Sequence, residues 1–170
     1  LRIQAGRVGE HGFSDVSAHR EGLAPIYAQF QRARANPIYE ADREVQDCLL
    51  RGLFLTAWLC EDALSERDDF PAGDCLLTSA SSKTSIALAF ALGERGRHGR
   101  VAVTSARNAP FCTSLGCYDE VVTYDSIGTL ATDKPAVLID MAGNASVNAA
   151  IHEHFGEQLV ADYRIGITHH

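Results

Sequence analysis

The stretch from Asp74 to Leu92, Asp-Cys-Leu-Leu-Thr-Ser-Ala-Ser-Ser-Lys-Thr-Ser-Ile-Ala-Leu-Ala-Phe-Ala-Leu, decides the fold of this chain. A short apolar strand runs into a cluster of small residues, and a helix of apolar and small residues begins at once. In such a unit, free backbone N–H groups and the positive end of the helix dipole meet at one point, which favours a bound anion. The stretch therefore predicts a phosphate-binding turn, although serine and alanine replace the glycines typical of nucleotide-binding turns.

One interpretation of this turn is a P-loop. Ser82-Lys83-Thr84 stands where that motif has Gly-Lys-Thr, and the downstream Asp140-Met-Ala-Gly143 resembles the D-x-x-G that follows a Walker B strand. However, the glycines of a P-loop let its backbone wrap around a phosphate, and here Leu77 and Ser82 occupy the two glycine positions. The P-loop is therefore the weaker interpretation.

The other interpretation is a Rossmann turn, in which G-x-G-x-x-G maps onto Ser79-Ala-Ser-Ser-Lys-Thr84. Small side chains still allow a close approach to a pyrophosphate. A Rossmann domain binds the adenosine ribose at the end of its second strand, through an acid for NAD or beside an arginine for the 2′-phosphate of NADP. Here that strand ends in Val103-Thr-Ser-Ala-Arg-Asn108, which holds no carboxylate. Arg107 is either a plain surface arginine or, as we favour in this context, the ligand of a 2′-phosphate.

Beyond residue 73, apolar runs and turn residues predict strands that alternate with helices. The predicted strands are Cys75–Thr78, Arg100–Ser105, Glu120–Tyr124, Ala136–Asp140 and Tyr163–Thr168. The predicted helices are Leu23–Arg34, Asp42–Ser65, Lys83–Glu94, Ala109–Leu115 and Ala145–His154. The apolar face predicted for the second of these helices is Val45, Leu49, Leu50, Leu53, Phe54, Ala57, Trp58 and Leu59. The pattern predicts an α/β fold, a Rossmann-like doubly wound parallel sheet preceded by a linking helix.

Composition excludes several classes of function. Hydrophobic residues make up 46% of the 170 residues, which is enough for the full core of one domain. The net charge of −7 argues against nucleic-acid binding, and no apolar run is long enough to span a membrane. The five cysteines are scattered and lack metal-ligand spacing, so we expect no metal site and reduced thiols in a cytoplasmic protein.

Several motifs follow one another along residues 40–168. They are Arg51-Gly-Leu-Phe-Leu-Thr-Ala-Trp-Leu59, Ala72-Gly-Asp74, Ser105-Ala-Arg-Asn108, Leu115-Gly-Cys-Tyr-Asp-Glu-Val-Val-Thr-Tyr124, Ile139-Asp-Met-Ala-Gly-Asn144 and Arg164-Ile-Gly-Ile-Thr168. In order and spacing the chain resembles the cofactor domain of the medium-chain dehydrogenase/reductases. The resemblance is strongest to one subfamily of their zinc-free, quinone oxidoreductase-like branch.

This resemblance implies NADP(H) as the cofactor and a role for each site residue. The pyrophosphate would be bound by Ser81, Ser82, Lys83 and Thr84. The 2′-phosphate would be bound by Ser105, Arg107 and Asn108, with Tyr124 against the adenosine. The nicotinamide end would lie near Thr56, with its other side lined by Ala142, Gly143 and Asn144. No single residue does the acid–base work in this branch as a rule, so the catalytic residues stay unassigned.

The same resemblance implies a domain boundary. Residues 1–40 would be the remnant or tail of a preceding GroES-like domain, and residues 41–170 the dinucleotide-binding domain of a longer reductase. The implied function is hydride transfer to a small-molecule substrate, a carbonyl, enone or quinone acceptor, with a homodimer as a possible assembly. The alternative is a degenerate, non-catalytic Rossmann module used for partner binding or dimerisation.

Overall fold

The first of two units, Leu1–Leu49, contains a small antiparallel sheet that the sequence did not predict. In this computed structural model, which describes residues 2–66 and 73–166, the sheet consists of β1 (Ala5–Gly6), β2 (Gly12–Asp15) and β3 (Gln29–Gln31), with β2 in the middle. The predicted helix Leu23–Arg34 is wrong. A 3-10 turn over Pro25–Ala28 leads into β3, where Phe30 stacks on Phe13 of β2 with ring centroids 4.9 Å apart. Pairing with β2 therefore overrides the local helical pattern.

The linking helix is confirmed as α1 (Glu44–Ser65), but in the second unit, Leu50–His170, its buried face shares only Ala57 with the predicted one. The buried stripe is Ala57, Glu61 and Leu64, at the i, i+4, i+7 spacing of one helix face. Glu61 is held there by the Nε of Arg95, 2.7 Å from its carboxylate. The residues of the predicted apolar face that are instead exposed in this unit are Leu50, Leu53, Phe54, Trp58 and Leu59.

The second unit is built on a five-stranded parallel sheet. Its strands are β4 (Asp74–Thr78), β5 (Gly99–Thr104), β6 (Glu120–Thr123), β7 (Ala136–Asp140) and β8 (Leu159–Arg164), in the spatial order β6-β5-β4-β7-β8. Its further helices are α2 (Lys83–Arg95), α3 (Ala109–Ser114) and α4 (Ala145–Phe155). The predicted Rossmann-like doubly wound sheet is thus confirmed.

The last strand lies earlier in the chain than predicted. β8 is Leu159–Arg164 rather than Tyr163–Thr168, because α4 ends at Gly156 with a positive φ of 51° and the chain turns back to the sheet at once. Beyond β8, the N–H groups of Ile165 and Gly166 donate to the carbonyl of Asp140. Thr168, and Ala72 from the earlier motif, lie outside the described residues.

Helices cover both faces of the sheet. Alternate residues of β4 point to opposite faces, so Leu77 packs with α1 and α2, whereas Leu76 packs with α4. Both leucines are completely buried. A strand covered on both faces reads as a continuous apolar run, which is why β4 after Asp74, and β7 from its start, hold no charged or polar residue before their last positions.

The strand order places a reversal between β4 and β7. From β4 the chain moves through β5 to β6 on one side, and then returns to β7 and β8 on the other. In open α/β sheets, ligands bind outside the carboxyl ends of the strands at this switch point. Within the part of the chain that the structure describes, no helix is long and apolar enough to cross a membrane.

Candidate functional site

The turn after β4 begins with a serine in a backbone conformation that favours glycine. Ser79 occupies the first glycine position of the Rossmann fingerprint and has a φ of 50°, in the left-handed region. A residue other than glycine costs on the order of 1–2 kcal/mol there. The turn is held by hydrogen bonds from Ser82 N to Ser79 O (2.8 Å) and from Ala80 N to Val103 O on β5 (3.4 Å). Ser79 thus adopts the backbone that the fingerprint assigns to glycine.

The first turn of α2 presents open backbone donors at the edge of the crevice. Ser82 is the N-cap, and its Oγ accepts a hydrogen bond from Ser85 N (3.3 Å). Among residues 2–66 and 73–166, no group accepts the N–H of Lys83 or Thr84, and the Lys83 side chain is exposed. Unpaired N–H groups at the positive end of a helix dipole, with a lysine beside them, favour an anion.

A second cation, Arg107, follows the carboxyl end of the adjacent strand β5, at the same edge of the sheet as Lys83. After β5 the chain continues through Ser105 to Arg107 and Asn108. Asn108 Nδ2 donates to Ser81 Oγ (2.9 Å), which joins the turn after β5 to the turn after β4. Arg107 is exposed and forms no ion pair with any residue that the structure describes. Because no carboxylate follows β5 in this turn, a phosphate would meet positive charge without repulsion.

Tyr118, which the sequence analysis did not single out, fixes the turn after β4. Tyr118 Oη donates to the carbonyl of Ala80 (2.7 Å). Burial raises the pKa of Tyr118 well above its ordinary value, so the phenol remains a donor. The two residues lie 38 positions apart, and no local motif marks such a contact. The predicted Tyr124 begins a 3-10 turn and packs partly buried against the cluster on the α4 face, where burial raises its pKa as well.

On the other side of the switch point, a buried carboxylate organises the loop after β7. Asp140 is the last residue of β7 and is completely buried. Its Oδ1 accepts hydrogen bonds from Thr78 Oγ1 (2.8 Å), Ala142 N (3.0 Å) and Gly143 N (2.9 Å). Its Oδ2 accepts one from Asn148 Nδ2 (2.7 Å). Burial alone would raise the pKa of this carboxyl, but the hydrogen bonds, led by that of Asn148, lower it below its ordinary value.

The residues predicted to line the nicotinamide side are engaged within their own loop. The N–H groups of Ala142 and Gly143 point to Asp140, and Gly143 has a positive φ of 71°. Asn144 is the N-cap of α4, and its Oδ1 accepts from Ser146 N (3.1 Å) and Val147 N (3.3 Å). This loop therefore uses its backbone donors internally. Thr78 and Asn148 were missed by the sequence analysis because only the fold brings them to Asp140.

A groove of about 480 Å³ lies between α1 and the ends of β7 and β8. Thr56 lines it from α1, although its Oγ1 donates to Gly52 O (3.0 Å) within the helix. Arg164 lines it from β8 with an exposed guanidinium whose Nε is 3.9 Å from Asp140 Oδ2. The remaining lining residues are Leu59, Cys60, Ala63, Leu64, Ile139, Tyr163 and Ile165. The groove is thus mainly apolar with a few polar groups.

Two other kinds of site are not built by the residues that the structure describes. Leu77, at the first glycine position of a P-loop, is a buried residue of β4 that pairs with Ala102 and Ile139, so it cannot belong to a loop around a phosphate. Over the described ranges, no group of three or more His, Cys, Asp or Glu side chains could hold a metal ion.

Solved structures share the fold of this chain at low sequence identity. The yhdH oxidoreductase from Salmonella enterica, solved in complex with NADP, is 22% identical over 69% of this chain, with a TM-score of 0.50. The Bacillus subtilis protein yhfP, solved with NAD bound, is 17% identical over 87% of this chain, with a TM-score of 0.52. The chain spans 37% of the first protein and 48% of the second.

Sequence comparison gives the family. No match was found among curated proteins. A family model described as "Protein of unknown function (DUF2855)" matches residues 1–170, the whole length of the sequence, and the chain therefore belongs to the DUF2855 family.

Proposed function

We propose that this chain is the NADP(H)-binding domain of a reductase of the medium-chain dehydrogenase/reductase type, in the zinc-free quinone oxidoreductase-like branch. Its reaction would be hydride transfer to a small carbonyl, enone or quinone acceptor. The Rossmann strand order and the fold shared with an NADP-bound oxidoreductase support the cofactor class. The motif resemblance supports the branch and the reaction.

One observation carries the proposal. Among the described residues, no group accepts the N–H of Lys83 or Thr84 at the end of β4, and none forms an ion pair with Arg107, which follows the adjacent strand β5. A pyrophosphate and a 2′-phosphate need positive potential at these two positions, because the adenosine half of a dinucleotide spans the first two strands of the fold. In this arrangement Ser81, Ser82, Lys83 and Thr84 take the pyrophosphate, and Ser105, Arg107 and Asn108 take the 2′-phosphate.

The nicotinamide half is assigned to the other side of the switch point. The groove beside Thr56 offers an apolar wall with a few polar groups, which suits a nicotinamide ring. Ala142, Gly143 and Asn144, in the loop after β7, are assigned to the nicotinamide side as well, and Tyr124 is assigned to the adenosine. When bound, NADPH supplies the hydride; the residues of this chain orient it and exclude water. We assign no catalytic acid or base.

Calorimetric titration with NADPH and NADH tests the proposal. We expect NADPH to bind at least about tenfold more tightly, the scale of one charge-assisted contact to a phosphate. Arg107→Ala should remove this preference, whereas Arg97→Ala, which removes another exposed arginine beyond the far end of α2, should keep it. Equal affinities of the unaltered chain for the two nucleotides would contradict the assignment of Arg107.

A non-catalytic module is the second candidate, and the turn after β4 is the observation that favours it. Ser79 keeps the left-handed backbone of the first glycine, but Ser81 occupies the second glycine position, the one that lets the backbone approach a pyrophosphate most closely. A folded chain that binds neither nucleotide would support this candidate. Use of the module for partner binding or homodimer formation would then be the remaining proposal.

A further inference from the structure

We propose that Asp140 is a positioning residue, whose buried carboxylate holds the turn after β4 and the loop after β7 in the relative arrangement that receives both halves of a dinucleotide. The inference rests on the proposed function, because it concerns the same crevice. It goes further by assigning a role to a side chain that would not contact the nucleotide. The site residues named above are all direct contacts, whereas Asp140 would act through its neighbours.

The first support is the set of donors that converge on Asp140 Oδ1. Thr78 Oγ1 comes from the end of β4, and the N–H groups of Ala142 and Gly143 come from the loop after β7. Thr78 Oγ1 also accepts from Met141 N at 3.0 Å, so a second bond crosses between the same two segments. Both Thr78 and Asp140 are almost completely buried, which shields these bonds from competing water. The carboxylate therefore fastens the two strand ends at the switch point.

The second support is the surroundings of Asp140 Oδ2. It accepts from Asn148 Nδ2 on α4 (2.7 Å) and faces the Nε of Arg164 on β8 (3.9 Å). Asn148 is itself buried, and its Oδ1 has no hydrogen-bond partner among the described residues. If Asp140 is replaced by asparagine, Asn148 can invert its amide and accept from the new Nδ2 with that oxygen. The site can thus keep its hydrogen-bonded geometry without the charge.

The two halves of the crevice depend differently on this arrangement. The adenosine half lies on the turns after β4 and β5, which are tied by the bond between Asn108 and Ser81 and do not need Asp140. The complete dinucleotide also needs the loop after β7 in its place. Loss of Asp140 should therefore weaken a whole dinucleotide much more than its adenosine half. A general loss of folding would weaken both ligands alike.

The experiment compares NADPH with adenosine 2′,5′-bisphosphate as probes, by calorimetric titration of the full chain. For Asp140→Ala we expect NADPH affinity to fall at least about tenfold, on the scale of one hydrogen bond to a charged group, with the bisphosphate changed less than about twofold. Thr78→Val, which keeps the shape of the side chain and removes its hydroxyl, should show the same split. It carries the test if Asp140→Ala does not fold.

Two further variants complete the test. Asp140→Asn should bind NADPH within about threefold of the unaltered chain, because the amide of Asn148 can invert. Asp119→Asn breaks an ion pair with Arg100 at the opposite edge of the sheet and should change neither ligand. Equal losses of both probes, no loss in Thr78→Val, or a tenfold loss in Asp140→Asn would each overturn the inference. If the unaltered chain binds neither probe, the proposed function fails instead.

Discussion

The turn after β4 and the loop after β7 look alike in sequence and differ in what their backbone donors do. Each follows a buried parallel strand, passes through small residues and ends at a capped helix, at Ser82 of α2 and Asn144 of α4. In the first, the N–H groups of Lys83 and Thr84 have no acceptor among the described residues. In the second, the N–H groups are taken up by the chain's own carboxylate, Asp140.

The difference lies in the last strand residue. β4 ends in Thr78 and β7 ends in Asp140, so one segment supplies an anion of its own and the other leaves room for an external one. A segment of small residues before a helix is therefore not by itself a binding site. The charge of the residue before it decides whether the donors are free.

The largest effect is expected for Lys83→Glu, which places a negative charge at the turn after β4. We expect NADPH affinity to fall by at least about a hundredfold, because juxtaposing like charges costs several kcal/mol. The fold should be retained, because Lys83 is exposed. Circular dichroism checks the fold, and calorimetric titration checks the affinity. Arg97→Glu, beyond the far end of α2, is the control because it makes the same change of charge. If it lowers NADPH affinity equally, the effect comes from the overall charge and not from the position of Lys83.

A smaller effect compares the left-handed residue of each segment, Ser79 with a φ of 50° and Gly143 with a φ of 71°. Gly143→Ala should lower the free energy of unfolding by about 1–2 kcal/mol, because an L side chain is strained there. Ser79→Gly should change it by less than about 1 kcal/mol, since relief of strain offsets the greater unfolded-state entropy of glycine. Urea denaturation measures both. A larger loss in Ser79→Gly than in Gly143→Ala would contradict this comparison.

The smallest effect is expected in the stability at acidic pH. There Asp140, before the loop after β7, becomes protonated, whereas the turn after β4 holds no carboxylate. The folded-state pKa of Asp140 lies below its ordinary value of 3.8, because its hydrogen bonds outweigh the effect of burial. Its contribution to stability is therefore complete above that value and is lost as the pH falls through the folded-state pKa. The difference in free energy of unfolding between the unaltered chain and Asp140→Asn should narrow as the pH falls below about 4. If this difference in free energy of unfolding stays constant from neutral pH to acidic pH, the predicted contribution of Asp140 is wrong.

Local sequence was enough to predict the parallel sheet of the second unit, apart from the position of β8, which begins at Leu159 and not at Tyr163. The central strands of this sheet are buried on both faces and therefore read as apolar runs, and their alternation with helices predicts parallel order. The sheet of Leu1–Leu49 was missed because its strands are only two to four residues long, and only partners such as Phe13 and Phe30 define them. The helix predicted over 23–34 is wrong because the pairing of β3 with β2, which is distant in sequence, determines the structure there.

The candidate site was predictable where it is local. The N-cap Ser82, the open first turn of α2 and the acid-free end of β5 can all be found from neighbouring residues. The bonds from Tyr118 to Ala80 and from Thr78 to Asp140 join residues 38 and 62 positions apart, and no local spacing encodes them. The roles of the individual site residues toward a nucleotide remain predictions.

The position of Trp58 on α1 has an optical consequence. It is the single tryptophan of the chain, it is about half exposed, and it precedes Leu59, a residue of the groove wall. A reduced nicotinamide absorbs in the range where indole emits, so a ring bound in that groove would draw excitation energy from one identified donor. An adenosine fragment has no such absorption and would leave the emission as it was. Under the proposed assignment, the emission of Trp58 would therefore fall when NADPH binds and stay unchanged when an adenosine fragment binds.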